Sequence, residues 1–426
     1  EHATPAATSA PVAGATIAAS ATAGPSPISS RGSDPTPAVP TWGRFLLDVF
    51  ICSLGAYGGP EAHLGIFMDH LVSRRRYLDE TELIELTALC SILPGPTSTQ
   101  TIVAIGYKVG GPWLAALTMA VWALPVLLVM TALSFLYQFL AGHGLPDDFL
   151  RFVGPLAVGF IAVAAWRIGR KVVKDTPAAL LMLFGAMTTY FIRAPWVFPL
   201  VLLIGAVVSI ALSSEKDIWN RVTLSPPWPY LLFFVFFALG GIVLAEMTPW
   251  RLATLFESFY RYGYLVFGGG QVVVPVMHSE LVQSHAYMSN EEFLTGYGLV
   301  QGLPGPMFSF AAYAGGMAAR GGSAAGQLMG AAAGGIGIFL PGLLLIYFVF
   351  PVWEELKKIR TMKIALSGIN AVAGGLIAIA AVILLRASGL QPANLVVTAV
   401  TIILLASRKV PAPLLVIAAL AAGWLL

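Results

Sequence analysis

The chain has 426 residues, of which 57% are hydrophobic and 11% are charged, and its formal net charge is +3. Its mean hydropathy of +0.81 lies well outside the range of soluble domains, and the small net charge gives no indication of nucleic-acid binding. The sequence contains no Walker-type nucleotide motif, no His-Glu-x-x-His, no Gly-x-Ser-x-Gly and no Cys-x-x-Cys. We therefore expect neither an enzyme nor a metal or other cofactor.

The first 41 residues differ in composition from the rest of the chain. Residues 1–41 are rich in Ala, Pro, Ser, Thr and Gly, and Arg31 is their only Lys or Arg. They lack the basic start and the continuous apolar core of a signal peptide. Because so little apolar surface cannot offset the entropy of ordering, this composition predicts a disordered N-terminal tail.

After the tail, the hydrophobic pattern predicts a first repeat at 42–214, a linker at 215–251 with an unpaired span near 228–247, and a second repeat at 252–426. Each repeat has two broken hydrophobic segments and then four spans. In the first repeat these lie around 44–72 and 82–108, then near 112–139, 149–169, 177–193 and 195–213. In the second they lie around 252–283 and 292–319, then near 323–351, 364–385, 391–407 and 410–426. Most of the spans approach the roughly 20 residues that a hydrocarbon core of about 30 Å requires.

The two halves share a register. Leu93-Pro94-Gly95-Pro96 recurs as Leu303-Pro304-Gly305-Pro306, an offset of 210 positions. The same offset places Gly58-Gly59 on Gly268-Gly269. Each half therefore has a Gly-Gly break and then a Pro-Gly-Pro break, and paired interruptions of this kind indicate the binding site of a secondary transporter.

The broken segments are too short to be simple spans. Only about a dozen residues separate Glu82 from Pro94, which is roughly 18 Å of helix. We interpret each broken segment as a re-entrant hairpin or a discontinuous helix whose break is buried in protein. The predicted fold class is an all-α polytopic membrane protein with two inverted-topology repeats.

Basic residues predict the inversion. One cluster lies between the two broken segments of the first half, a second follows the span near 149–169, and a third follows the span near 323–351. They are Arg74, Arg75 and Arg76; Arg167, Arg170, Lys171 and Lys174; and Lys357, Lys358, Arg360 and Lys363. All three clusters face the cytoplasm only if the halves have opposite topology, which also places the tail in the cytoplasm.

Several longer motifs carry a resemblance to a known family. They are Gly58-Gly59-Pro60-Glu61-Ala62-His63, the run from Arg74 to Glu80 and the run from Leu93 to Gln100 in the first half, and the runs from Phe267 to Pro275 and from Gly296 to Pro306 in the second. From about residue 42 to residue 426 the chain resembles the chromate transporter family in its two-domain form. The resemblance implies export of chromate from the cytoplasm across the inner membrane and chromate resistance, with sulfate as the usual chemical mimic.

The Pro-Gly-Pro break of the first half is the stronger candidate for an anion site. Pro96 suits the first position of a helix, so the free N–H groups of the next three residues point toward the break. Such a helix start carries about half a positive charge and binds anions. The predicted substrate-binding residues are Gly95, Thr97, Ser98, Thr99 and Gln100. The alternative is that Pro-Gly-Pro merely kinks packed helices.

The second half is predicted to close the cavity with less polar groups. Gly305, Met307 and Ser309, with the amides of Phe308 and Phe310, offer backbone N–H groups and one hydroxyl. Gly59 and Gly269 are added as substrate-binding residues because glycine permits close approach of a ligand.

Glu61 and His63 are the predicted coupling residues, and His63 is also a predicted anion ligand. A Glu at a helix start is equally explained as a partner of the helix dipole, and a lone His as a packing residue. Arg74, Arg75 and Arg76 are predicted to gather anions at a cytoplasmic mouth, although their effect on orientation explains them equally.

Other polar residues have simpler interpretations. Asp79 and Ser289 are predicted helix N-caps. Lys108 either snorkels or lines the path. Asp48 lies within an apolar stretch, which makes it a functional candidate, and Glu257 is placed near a helix end.

These observations favour alternating-access export of chromate coupled to the proton gradient or the membrane potential. The main alternative is a carrier of sulfate or a related oxyanion on the same scaffold. A channel-like pore would differ from a carrier in that its flux has no turnover limit. A purely structural role is least favoured, because two matched helix breaks are costly unless they form a site. The sequence leaves the oligomeric state open, a homodimer included.

Overall fold

The computed structural model describes residues 41–143, 148–192, 197–213, 225–267, 270–357 and 359–425. The predicted tail therefore lies almost entirely outside the described residues. Within these ranges the regular elements are helices, and no strand is found. The all-α prediction is confirmed.

In its described residues the first half contains seven α-helices, with one π-helix and one 3-10 turn between them. They are α1 (Trp42–Gly55), α2 (Pro60–Phe67), the π-helix Met68–Arg74, α3 (Glu80–Ile92), α4 (Thr97–Gly142), the 3-10 turn Asp148–Leu150, α5 (Val153–Val172), α6 (Thr176–Phe191) and α7 (Val197–Leu212). The predicted unpaired span is α8 (Trp228–Met247).

The second half repeats this order. Its elements are α9 (Arg251–Tyr264), the 3-10 turn Gly270–Val272, α10 (Val273–His278), the π-helix Ser279–Ser284, α11 (Asn290–Gln301), the 3-10 turn Met307–Ser309, α12 (Phe310–Ala318), α13 (Ala324–Val349), the 3-10 turn Phe350–Val352, α14 (Trp353–Leu356), α15 (Arg360–Ala387), α16 (Pro392–Ser407) and α17 (Ala412–Leu425).

The backbone itself repeats at the offset of 210. Positive φ angles occur at Arg76 and Ala286, at Gly95 and Gly305, and at Gly111 and Gly321. The π-helices also coincide at this offset, since one ends at Arg74 and the other at Ser284. The two halves thus share local conformation as well as motifs, and the repeat is confirmed.

The helices that precede the Pro-Gly-Pro breaks begin with matched capping boxes. The Asp79 side chain accepts from the N–H of Glu82, and Ser289 does the same for Glu292. Both predicted N-caps are confirmed. Each capping glutamate also forms an ion pair with a base from the following helix region, Lys108 in the first half and Arg320 in the second. An ion pair therefore accounts for Lys108 near the end of the second broken segment.

Among the residues that the structure describes, five helical stretches are long and apolar enough to cross a membrane by length and composition: Thr97–Leu140, Asp148–Val172, Trp228–Met247, Ala324–Leu356 and Arg360–Ala387. Four shorter apolar helices, α6, α7, α16 and α17, correspond to the other predicted spans. Non-helical angles at Gly110 and Gly111 interrupt α4 just before the predicted span near 112–139. The re-entrant or discontinuous character of the broken segments stays a prediction.

Helices of the two repeats pack on one another. The long helix α15 of the second half contacts α5, α6 and α7 of the first, and α16 contacts α5. Glycine allows this approach at Gly375, where a Cβ would lie 2.8 Å from the backbone nitrogen of Ala186. The helix between the repeats, α8, packs against α9 and α13.

Candidate functional site

The two Pro-Gly-Pro breaks are joined to opposite repeats by reciprocal hydrogen bonds. The N–H of Gly95 donates to the carbonyl of Val266 at 2.8 Å, and the N–H of Gly305 donates to the carbonyl of Ala56 at 2.8 Å. Donors and acceptors are related by the same offset of 210. Each break therefore contacts the chain just after the first helix of the other repeat, and the glycine amides are committed to this contact.

The break geometry explains the glycines. Gly95 has φ of +130° and Gly305 has φ of +103°, a region in which residues with a Cβ are strained. A Cβ on Gly95 would also lie 2.6 Å from Nε2 of Gln100. At Gly305 the nearest atom to such a Cβ would be a methyl carbon of Val126 at 3.1 Å. The first break therefore tolerates a side chain less well than the second.

The start of α4 leaves backbone donors free of helical bonds. The first α-helical bond runs from the N–H of Gln100 to the carbonyl of Pro96 at 2.9 Å. The N–H groups of Thr97, Ser98 and Thr99 therefore have no partner within the helix, as predicted. Pro96 is the N-cap rather than the first helical residue, so its placement is corrected by one position.

Side chains at this helix start bond to α2 and to the second arm of α4, the part after the Gly110–Gly111 interruption. The imidazole Nδ1 of His63 lies 2.9 Å from the hydroxyl of Ser98, and His63 is only 3% exposed. The indole Nε1 of Trp122 donates to the hydroxyl of Thr99 at 3.2 Å, and the rings of Trp122 and His63 meet edge to face. The structure thus joins His63 to the predicted anion residues.

Gln100 lies where the first break meets the second repeat. Its Nε2 donates to the carbonyl of Pro94 at 2.8 Å, whereas its Oε1 is buried without a hydrogen-bond partner. Gly342 of α13 lies against this side chain, because a Cβ there would be 3.4 Å from Nε2. Gln100 is therefore a fully buried polar residue at the contact between the repeats.

The second break differs from the prediction in its backbone. The chain after Pro306 begins with a 3-10 turn, in which the N–H of Ser309 donates to the Pro306 carbonyl at 3.0 Å. The N–H of Phe310 is also used, on the carbonyl of Met307. The expectation that the amides of Ser309 and Phe310 are available is therefore wrong, and those of Met307 and Phe308 remain. The reason is the tighter turn, in which hydrogen bonds begin one residue earlier.

The Gly-Gly breaks are described only in part. Gly59 has φ of +90° and precedes α2, and its carbonyl accepts from the N–H of His63 at 3.1 Å. Glu61 belongs to α2, but its side chain lies outside the described part of the structure. Gly269 lies outside the described residues altogether.

Of the three predicted mouth arginines, Arg75 is committed to a buried carboxylate. Its Nη2 lies 2.8 Å from Asp48 Oδ1, and Nε2 of His70 lies 2.9 Å from the same oxygen. The Tyr77 hydroxyl donates to the other carboxylate oxygen at 2.5 Å. Burial, together with Asp48, raises the pKa of Tyr77 to about 12, so this hydroxyl stays a neutral donor.

Arg74 and Arg76 are placed differently from Arg75. Arg74 pairs with Asp69 at 2.8 Å, and the two side chains are 67% and 59% exposed. Arg76 is exposed and has φ of +53°. These two arginines are therefore exposed, whereas the Arg75 side chain is 30% exposed and is bound to Asp48.

A second buried ionic cluster was missed by sequence reasoning. Arg261 binds two carboxylates: its Nε lies 2.7 Å from Glu257 Oε1 and its Nη1 lies 2.6 Å from Glu280 Oε1. The Tyr262 hydroxyl donates to Glu280 as well. Glu257 lies in the middle of α9, not near its end, and the i, i+4 spacing from Glu257 to Arg261 was the available signal. Nothing in the sequence placed Glu280 beside them.

Comparison with known proteins gives a family match in two segments. The family described as Chromate transporter matches residues 44–210 and 253–424. The chain is 27% identical over 355 residues to the "Probable chromate transport protein" of Synechococcus elongatus, covering 82% of this chain and 86% of that protein.

Two further relatives have similar coverage. The chain is 26% identical over 340 residues to the "Chromate transport protein" of Pseudomonas aeruginosa, covering 76% of each protein. It is 24% identical over 375 residues to the "Chromate transport protein" of Cupriavidus metallidurans, covering 85% of this chain and 88% of that protein. No solved structure matches the chain.

Proposed function

The chain belongs to the chromate transporter family, a family of membrane transporters and not of enzymes, and we propose that it exports chromate from the cytoplasm by alternating access. The proposed location is the bacterial inner membrane, with the N-terminal tail on the cytoplasmic side and with chromate resistance as the result. The observation that carries the proposal is the reciprocal pair of hydrogen bonds from Gly95 to Val266 and from Gly305 to Ala56.

These hydrogen bonds are relevant because alternating access requires a substrate site at the interface of the two repeats. In transporters built from inverted repeats, the substrate binds at the repeat interface, beside the ends of broken helices, while the repeats move around it. Here each break is bonded to the other repeat. The free amides of Thr97, Ser98 and Thr99 at the start of α4 adjoin the first break and supply positive potential for a dianion.

The side chains at the first break support an oxyanion more than a cation. Ser98 and Thr99 carry hydroxyls, and the buried imidazole of His63 lies 2.9 Å from the Ser98 hydroxyl in the same region. We place substrate binding at Thr97–Gln100 with His63, and closure of the cavity at Met307–Ser309. Arg74 and Arg76, which are exposed, serve to attract anions.

Two sources of energy fit export. Moving a dianion out of an inside-negative cell is favourable by about 2.3 kcal/mol per charge per 100 mV, hence by about 4.6 kcal/mol for two charges. A proton carried by Glu61 or His63 adds coupling to the pH gradient. Sulfate is the alternative substrate, because it is also a tetrahedral dianion.

Transport into inverted membrane vesicles tests the proposal. Radiolabelled chromate uptake is measured with an imposed potential or pH gradient, with sulfate as competitor and with vesicles that lack the protein as control. Saturable, gradient-driven uptake is expected. Accumulation of sulfate without chromate uptake assigns the protein to the alternative, whereas uptake that never saturates identifies a channel.

Substitutions then test the site. Ser98→Ala and Gln100→Ala are expected to reduce chromate uptake while the protein still folds in the membrane. Ser91→Ala is the matched control, because the Ser91 hydroxyl only donates to the Thr87 carbonyl of its own helix. Unchanged uptake in both site variants contradicts the placement of the anion at this helix start.

A further inference from the structure

Buried polar atoms without hydrogen-bond partners concentrate near the two breaks. Seven such side-chain atoms occur in the described part of the chain, and four of them flank the breaks: Gln100 Oε1, Tyr297 OH, Gln301 Nε2 and Ser309 Oγ. A buried polar group that is left without a hydrogen bond costs about 1–3 kcal/mol. Such groups call for a ligand, a water molecule or another specific explanation.

Three of the four atoms belong to the second half, and all three are groups that can donate a hydrogen bond but have no acceptor in the described part of the chain. Tyr297 and Gln301 are four residues apart, so they lie on one face of α11, and the Tyr297 hydroxyl is beside the Gln301 side chain without hydrogen-bond geometry. Ser309 lies in the 3-10 turn that contacts α11. The Tyr297 ring also meets the ring of Phe310, the residue after Ser309, at a centroid distance of 6.0 Å.

The equivalent positions of the first half are satisfied within the protein. At the offset of 210, Tyr297 and Gln301 correspond to Thr87 and Ser91, whose hydroxyls donate to carbonyls of α3 at 2.8 and 2.7 Å. Ser309 corresponds to Thr99, which accepts from the indole of Trp122.

The position that corresponds to Trp122 is Ala332, and the Ser309 hydroxyl has no hydrogen-bond partner among the residues that the structure describes. The donor side chains of α11 are therefore longer than the equivalent side chains of α3. The second half also lacks, at the position equivalent to Trp122, a group that could bond the Ser309 hydroxyl. Burial is nearly complete for both hydroxyls, since Tyr297 is 1% exposed and Ser309 is 0% exposed.

We propose that Tyr297, Gln301 and Ser309 form a second donor wall of the substrate site, and that their ligand is a tetrahedral oxyanion. Two hydroxyls and one amide NH2 group suit a dianion with four acceptor oxygens and no proton to donate. Hydrogen bonds to charged groups are about twice as strong as neutral ones, so a bound dianion compensates for the buried donors. This inference rests on the proposed function and adds Tyr297 and Gln301, which the sequence did not single out as site residues.

The wall also changes the roles of the two breaks. In the first break the hydroxyls of Ser98 and Thr99 already have protein partners, whereas the three donors of the second break have none. The second break therefore adds side-chain donors without protein partners to the backbone amides, the side chains and the α4 helix start that the first break supplies. The anion is held between two unlike walls, one from each repeat.

Binding of radiolabelled chromate and sulfate to the detergent-purified full chain tests this wall. Tyr297→Phe, Gln301→Leu and Ser309→Ala are each expected to raise the Kd for the oxyanion by about 10- to 100-fold, the loss of one hydrogen bond to a charged group. Thr87→Val and Ser91→Ala, at the equivalent first-half positions, are the matched controls and are expected to leave the Kd unchanged.

Stability without ligand separates a binding role from a structural one. If the Tyr297 hydroxyl has no partner until the anion binds, Tyr297→Phe leaves the ligand-free protein as stable as the wild type or more stable. A less stable ligand-free variant with an unchanged Kd shows that a trapped water satisfies the hydroxyl, and this result overturns the inference.

Binding by the wild type distinguishes a failure of the donor wall from a failure of the proposed function. If the wild type binds oxyanion and all three wall variants bind it equally well, the wall is refuted while the proposed function stands. If the wild type binds neither chromate nor sulfate, the proposed function fails and the wall fails with it.

Discussion

The buried cluster around Arg261 gives the sharpest prediction about stability. Its guanidinium makes four hydrogen bonds to two carboxylates, at 2.7 and 3.2 Å to Glu257 and at 2.6 and 3.1 Å to Glu280. The side chains of Arg261, Glu257 and Glu280 are 21%, 13% and 2% exposed, so solvent does little to replace the lost charge.

Arg261→Met keeps the aliphatic stem and removes the charge, leaving two buried carboxylates without their shared partner. Removing one member of a buried ion pair costs about 3–5 kcal/mol, and we expect a loss of that size in the free energy of unfolding. Replacing the whole cluster, as in Arg261→Met with Glu257→Gln and Glu280→Gln, is expected to recover most of that loss, because no unpaired charge then remains buried.

Denaturant unfolding in mixed micelles measures both variants. Arg74→Met is the matched control, because the Arg74–Asp69 ion pair is largely exposed and such pairs contribute little. A loss for Arg261→Met no larger than that for Arg74→Met refutes the reasoning. A triple variant that is less stable than the single one refutes the charge argument in particular.

The remaining predictions concern the breaks, pH and coupling. Gly95→Ala is expected to lower the free energy of unfolding by about 1–2 kcal/mol because of its backbone angle alone. It is also expected to reduce chromate uptake more than Gly305→Ala does. Gly65→Ala is the control for both variants, because Gly65 lies in a helix with open space where a Cβ would be. Because the pKa of Tyr77 is raised in the folded protein, its contribution to stability is full below about pH 10 and is lost as the pH rises toward about 12. Tyr77→Phe is expected to remove that part of the pH dependence, and identical unfolding curves from pH 9 to pH 12 for the two proteins contradict it. Glu61→Gln is expected to abolish the pH dependence of vesicle uptake, and a persisting pH profile assigns the proton to another residue.

Local backbone geometry is the part of this fold that the sequence predicts well. Gly95 and Gly305 follow proline and adopt the positive φ that a residue with a Cβ avoids, and Asp79 and Ser289 cap their helices as their side chains favour. These features depend on a few neighbouring residues, so the pattern alone is enough to locate them. The repeat and the positions of the helices follow from the same kind of information.

The sequence predicts less well which side chains come into contact. The sequence grouped Arg75 with its neighbours Arg74 and Arg76, but packing of α1 against the π-helix commits it to Asp48. Arg261 and Glu280 are 19 positions apart and meet because α9 packs against α10, which leads directly into the π-helix that contains Glu280.

Amino-acid sequence by itself therefore determined the class of protein, its internal repeat and the places where its helices break, because hydropathy, glycine and proline act locally. Only the tertiary structure decided that the amides of Gly95 and Gly305 bind the opposite repeat and that the donors of Tyr297 and Ser309 are left without partners. The physical reason is that a hydrogen bond requires its donor and acceptor atoms to lie within about 3 Å of each other. Residues of the two repeats are far apart in the sequence, so only the fold decides which of them come that close.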